Sequence, residues 1–241
     1  MVPTVFFDLY GTLVDIETDE ARPALWRGFA RYLALSGAAY APAELRARYL
    51  ALCAEETEAL AAAHPALGTA GVEIELRRVF ARLFAERGVE PGAALVEDTA
   101  HLFRALSYRR PPRLIRGAAR TLVVLRERGV RVCLLSNAQS CFTRAELAMT
   151  GLGGSFERIF LSSDYGCRKP SPAFFRAALA ETGVSPDEAL MVGNDPDTDV
   201  GGAMSVGLGS RYLHTRTSPP RRASLPEGCI EIGSLTDLLR E

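Results

Sequence analysis

Polar residues that could do chemistry fall at four places in this sequence, each just past an apolar run. Val5, Phe6 and Phe7 lead straight into Asp8 in "TVFFDLYGTLVD". The run "VCLL" ends in Ser136 and Asn137, "IFLSS" is followed by Asp164 and then by Lys169 in "CRKPSP", and "LMV" runs into Asn194 and Asp195 of "GNDPDTD". Read as strands, these runs put an acid, a hydroxyl, a lysine and an acidic cluster past four carboxyl ends. In an open α/β sheet those ends share one edge, and ligands bind in the crevice there. Each position also has an ordinary alternative. Asp8 could begin a turn, and Ser136 with Asn137 could cap the next helix. Asp195 and Pro196 read as an N-cap followed by proline at the first helical position, with Asp197 and Asp199 favouring the helix dipole. Lys169 could be a solvated loop residue. It is, however, the only lysine among 28 Lys and Arg residues, and the two are not interchangeable where a compact point charge is wanted. Four such ends in succession point to one site.

The frame that would position them is an α/β core. The runs around residues 2–9, "VRVCLLSN", "ERIFLSS", "ALMV", "SRYLH" and "CIEI" read as strands. Between them "AARTLVVLRERG", "CFTRAELAMTG" and "SPAFFRAALAETG" read as helices, the last with Ser171 as N-cap and Pro172 at its first position. "SPDE" at 185–188 resembles a capping box, and "TDVGGAMSVG" reads as a short helix. Continuous apolar strands alternating with helices predict a doubly wound parallel sheet covered on both faces. Residues 19–107 differ. Leu25, Phe29 and Leu33 fall at helical spacing, as do Leu45, Tyr49 and Leu52, then Leu76, Val79, Phe80 and Leu83, then Leu95, Leu102 and Leu106. That block predicts four helices and no strand, with "RRPP" at 109–112 closing it as a linker. The expected layout is a core from residues 1–15 and 111–241 with a helical domain, 16–110, inserted after the first strand.

Composition narrows the function classes. The chain has 241 residues, is 48% hydrophobic and 24% charged, and carries a net charge of -1, which gives no footprint for nucleic acid or an anionic membrane. No apolar run is long enough for a membrane span. A strand begins almost at the first residue, so no signal peptide is expected. The five cysteines are scattered and never form C-x-x-C, so neither a disulfide framework nor a zinc site is expected, and a reducing, cytoplasmic setting is the default. The oligomeric state is left open.

"FFDLYGTLVD", "LLSN", "CRKPSP" and "VGNDPDTD" resemble, in that order, the four motifs of the haloacid dehalogenase (HAD) superfamily of hydrolases. The helical insertion resembles the superfamily's helical cap, and the core its Rossmann-like sheet. The resemblance implies that Asp8 is a nucleophile forming a covalent ester. It implies that Thr12 and Ser136 donate hydrogen bonds to the transferring group, that Asn137 orders the loop, and that Lys169 offsets charge. Gathering Asp8, Asp195 and Asp199 at one edge without a cation would be costly. Oxygen ligands suit Mg2+, with Asp8, the Tyr10 carbonyl, Asn194, Asp195 and Asp199 as the candidate set. Many relatives carry Asp in the place of Asn194, so the choice among the last three stays open. The substrate expected is a small phosphorylated molecule.

Tyr10 complicates this. Phosphatases of the superfamily usually carry Asp two residues after the nucleophile, to protonate the leaving alcohol and then activate water. The 2-haloacid dehalogenases carry Tyr there, expel a halide that needs no proton, and use no metal. They also use a cap arginine, for which Arg22, Arg27 and Arg31 are available, and a Tyr six residues after the lysine, where this chain has Phe175. Three readings follow. The first is a Mg2+-dependent phosphatase, which the acids favour. The second is a metal-independent dehalogenase acting on a halogenated acid. The third is a catalytically weak HAD scaffold that acts by binding.

Overall fold

The computed structural model describes residues 2–220 and 225–240. Strand β1 (Thr4–Phe7) is buried along its whole length. After it the chain forms β2 (Val14–Thr18), then five helices: α1 (Pro23–Leu35), α2 (Pro42–Ala63), the single turn α3 (Gly68–Gly71), α4 (Leu76–Ala85) and α5 (Ala93–Ser107). Strand β3 (Tyr108–Leu114) returns the chain to α6 (Ala118–Glu127), β4 (Arg131–Ser136), α7 (Ser140–Met149), β5 (Arg158–Leu161), the single turn α8 (Ser162–Tyr165) and α9 (Pro172–Thr182). Then come β6 (Ala189–Gly193), a π-helical turn (Pro196–Gly201), α10 (Gly202–Met204), β7 (Gly209–Leu213) and β8 (Ile230–Ile232).

The main sheet has the order β5-β4-β1-β6-β7-β8, with every neighbouring pair parallel. From β1 the chain goes on to β4 and β5 on one side; from β6 it goes on to β7 and β8 on the other. A crevice therefore opens at the carboxyl ends of β1 and β6, where the winding direction reverses. Alternation along β1 divides the core. Val5 and Phe7 pack with Leu122, Leu134 and Val192 on one face, and Phe6 packs with Leu135, Phe174 and Met191 on the other.

The inserted helices enclose a second apolar cluster built on Trp26, Phe29, Tyr49, Phe80 and Phe103. The first three expected stripes are buried as spaced. On α5 the buried stripe is Val96, Ala100 and Phe103 rather than Leu95, Leu102 and Leu106. The aromatic ring of Phe103, within 5.2 Å of Phe29 and 5.1 Å of Tyr49, takes the cluster's centre and turns the helix one residue.

The expected linker at 109–112 is instead β3, paired antiparallel with β2. Opposite charges face each other across the ribbon: Arg113 on Asp15, Arg110 on Glu17 and, just beyond, Arg109 on Asp19. Pro111 and Pro112 are tolerated because they fall in the irregular stretch between the Arg113–Asp15 and Arg110–Glu17 pairs, where the ladder is interrupted.

The helical block docks on the core at two further places. Cys141 and Phe142 of α7 belong to its apolar cluster, and the Phe142 ring lies 6.4 Å from Phe103. Opposite the ribbon, Val72 and Cys167 form an antiparallel bridge, with Glu73 N–H donating to the Gly166 carbonyl at 3.1 Å and Arg168 N–H to Gly71 at 3.0 Å. No helix among the described residues is long and apolar enough to cross a membrane.

Candidate active site

Asp8 leaves the end of β1 with its N–H still bonded to the Val192 carbonyl of β6 at 2.9 Å. The chain then turns tightly, with Leu9 O accepting the N–H groups of Thr12, Leu13 and Val14. Gly11 sits in that turn at φ +88°, and a Cβ there would fall 2.4 Å from Asn194 Nδ2. Only glycine allows both the turn and the close approach of β6's end.

The Asp8 carboxylate is 7% exposed, and its two oxygens face different partners. Oδ1 accepts from Ser136 Oγ at 3.0 Å and from Lys169 Nζ at 2.8 Å. Oδ2 accepts from Thr12 Oγ1 at 3.2 Å. Lys169, only 2% exposed, spends its remaining donors on Asp199 Oδ1 at 2.6 Å and the Leu135 carbonyl at 2.8 Å. Burial opposes its charge, but the Asp199 and Asp8 carboxylates outweigh burial and hold its pKa above the usual amine value.

Asp199 is held on both sides. Its Oδ2 accepts the N–H groups of Asn194 and Asp195, each at 3.0 Å. Burial, with the Asp8 charge, pushes its pKa up to about 6 against the pull of the Lys169 ammonium. One ammonium and two backbone N–H donors on one carboxylate are the pattern of an ionised group.

Asn137 directly follows β4. Its side chain pairs with the Lys169 main chain in both directions, Nδ2 to O at 2.9 Å and N to Oδ1 at 2.8 Å. The ends of β4 and of the "CRKPSP" loop are thereby tied together. Asp8, Ser136, Lys169, Asn194 and Asp195 line a cavity of about 270 Å³ with Thr217 and Pro219. A larger cavity, about 590 Å³ between α2, α4 and residues 163–166, contains none of these residues.

Tyr10 lines the cavity, but its hydroxyl points to a cluster sequence reasoning did not find. It donates to Glu146 of α7 and also meets Thr143 Oγ1 at 3.0 Å. Glu146 Oε1 accepts from Arg104 Nε of α5 at 2.7 Å and from Tyr108 OH at 2.6 Å. Burial first, and then the Glu146 charge, push the Tyr10 phenol well above its ordinary pKa.

A family model described as a haloacid dehalogenase-like hydrolase matches residues 2–207. The chain belongs to this family. Among curated relatives, a phosphoserine phosphatase of Thermus thermophilus is 32% identical over 67% of this chain and 62% of its own length. A ribulose-1,5-bisphosphate 5-phosphatase of Halopiger xanaduensis is 32% identical over 62% of this chain and 65% of its own. The matched stretch thus spans a little over three fifths of either relative. A solved 2-haloacid dehalogenase of Pseudomonas syringae pv. Tomato superposes with a TM-score of 0.67, at 20% identity, over 100% of this chain and 97% of that one. That likeness is one of fold.

Within this haloacid dehalogenase-like site, Asp195 is an N-cap, its Oδ1 accepting the N–H groups of Asp197 and Thr198 at 2.8 and 3.0 Å. The expected short helix begins instead as a π-helical turn, closed by Val200 N–H on the Asp195 carbonyl at 3.2 Å, a form common at functional sites. Sequence reasoning missed Thr217 and Pro219, which follow β7; the strand-end rule applied to "SRYLH" points straight at them. It also missed Glu146 and Arg104, for which helical periodicity carries no signal. Arg104→Met is expected to lower stability by ~3–5 kcal/mol, because a buried carboxylate loses its cation. Urea denaturation checks this. A loss below ~1 kcal/mol would mean that the two tyrosine hydroxyls alone satisfy Glu146.

Proposed function

We propose that the chain is a Mg2+-dependent phosphatase of a small phosphate ester, with Asp8 as nucleophile. The observation that carries the reading is the setting of Asp8 at the crevice, with Ser136 and Lys169 from two other segments and Thr12 from its own turn converging on its carboxylate. An Asp8 oxygen attacks phosphorus, the ester P–O bond breaks, and the leaving oxygen departs with the bonding pair and takes its proton from water. Water then attacks the aspartyl-phosphate, releasing phosphate and restoring the carboxylate. Ser136 and Thr12 orient the attacking group and donate to phosphoryl oxygens, and Lys169 offsets the negative charge that gathers there. The cavity of about 270 Å³ suits a phosphate with a small organic part.

The donors present fit Mg2+. Asp8 Oδ2 and Asn194 Oδ1 both accept from the Thr12 hydroxyl, at 3.2 and 3.3 Å, which brings the two oxygens near each other, and the Tyr10 carbonyl would join them as a ligand that needs no particular side chain. Among the described residues no cluster of three His, Cys, Asp or Glu side chains is arranged for a metal. One carboxylate and neutral oxygens, completed by waters and phosphate, is the pattern of Mg2+ rather than of a transition metal. Asp199 and Asp195 serve Lys169 and the π-helical turn in this reading. Mg2+ would polarise the phosphoryl oxygens and offset charge.

Tyr10 predicts a leaving-group signature. A phenol is only ~0.1% ionised at pH 7 even at its ordinary pKa, and here its proton is committed to Glu146. Without a general acid, alkyl phosphates are expected to turn over ~10²–10⁴-fold more slowly than p-nitrophenyl phosphate. Phosphate release across a panel of esters, with and without EDTA, tests the whole reading. Activity untouched by EDTA, or no release from any ester, rejects it.

The committed Tyr10 proton also suits a leaving group that needs none, which favours a 2-haloacid dehalogenase as second reading. Halide release from L-2-chloropropionate, with Asp8→Asn as control, decides that case.

A further inference from the structure

An amide has two unlike ends, and only its oxygen can meet a cation. Asn194 therefore poses an orientation problem that a carboxylate at the same place would not have. Turned one way it offers Oδ1 on the side of Asp8; turned the other way it offers an NH2.

The loop after β7 resolves the choice. Asn194 Nδ2 stands 3.5 Å from both Thr215 Oγ1 and Ser218 Oγ. The Thr215 hydroxyl has one proton, and it goes to the Gly11 carbonyl at 2.8 Å. Toward Asn194 it can present only lone pairs, so the group facing it must be the NH2. Against Thr215 a reversed amide would set oxygen against oxygen with no proton between, whereas the Ser218 hydroxyl can meet either end. Ser218 holds Thr215 in place by accepting its N–H at 2.9 Å. The Thr12 hydroxyl cannot make this choice, because it could donate to Asp8 and accept from a reversed amide. Thr215 alone, anchored on a backbone carbonyl, reads the difference.

We propose that Thr215 is a positioning residue that fixes the Asn194 amide oxygen-inward, and so lets a neutral side chain serve as a divalent-cation ligand beside Asp8. The proposal rests on the Mg2+ reading above. Its logic is that of outer partners that orient metal ligands elsewhere, whose loss typically costs ~10–100-fold in metal affinity.

The test is a cycle read by calorimetric Mg2+ binding on the whole protein, independent of turnover. Thr215→Val is expected to weaken Mg2+ binding ~10-fold. In an Asn194→Asp background the same substitution is expected to change nothing, since the two carboxylate oxygens are equivalent. Thr215→Ser, which keeps the hydroxyl, is expected to retain wild-type affinity. Equal losses in both backgrounds, or none in either, overturn the proposal. In metal-free protein, NOEs from the Asn194 side-chain NH2 to Thr215 report the orientation directly, and their absence overturns it as well. Wild-type protein that shows these NOEs but binds no Mg2+ defeats the metal reading, and with it the ligand role.

Discussion

Asp8→Asn is expected to abolish phosphate release, by ~10⁴-fold or more, while leaving the protein folded. The two halves of that statement have separate causes. An amide oxygen is a poor nucleophile at phosphorus, so the covalent step loses its attacking group. The same oxygen can still accept from Ser136 Oγ and Lys169 Nζ, the two donors now on Asp8 Oδ1. Lys169 also keeps Asp199 as its counter-ion at 2.6 Å. Thermal melting within a few degrees of wild type, beside inactive protein, is the expected pair of measurements. Retained turnover would remove Asp8 from the chemistry.

Lys169→Met is expected to fail in the opposite way, damaging fold and activity together. The ammonium is the shared cation of two carboxylates that are 7% and 2% exposed. Removing it leaves like charges facing each other in a poorly hydrated space, at a cost of ~3–5 kcal/mol. Turnover should fall ~10²–10³-fold as well, since the phosphoryl oxygens lose their nearest fixed positive charge. The sign of the pH dependence follows from Asp199. Its folded pKa, already pushed up to about 6, lies above the unfolded value, so the native state holds the proton more tightly. Without the pull of Lys169 that pKa rises further, so the deficit of the variant is present in full only above the raised value and shrinks as pH falls toward about 6. Urea denaturation at two pH values measures it. A deficit that grows on acidification contradicts this account.

How much of this was legible in the sequence depends on the kind of signal each residue leaves. Asp8, Ser136, Asn137, Lys169 and Asn194 were readable because a parallel sheet forces all strand ends to one edge, and polar residues there break an apolar run visibly. Thr215 follows the same rule at the end of β7, but a threonine in a polar loop breaks nothing. Asp195 was ambiguous because capping and ligation use the same carboxylate chemistry. Glu146 and Arg104 could not be read at all. Their pairing depends on how α5 crosses α7, and neither helix's own periodicity records that. The ribbon β2–β3 was hidden for a related reason: two prolines look like a linker until the partner strand and its acids are in view.

The lone lysine has a practical side. The other 27 of the 28 Lys and Arg side chains are arginines, which do not acylate or methylate under the conditions that modify amines, so the protein presents one side-chain amine, and that amine is 2% exposed at the floor of the crevice. Amine-directed reagents, which on most proteins decorate the exterior, here have a single internal target. The extent of their reaction becomes a gauge of how often the crevice opens, with no engineered probe required.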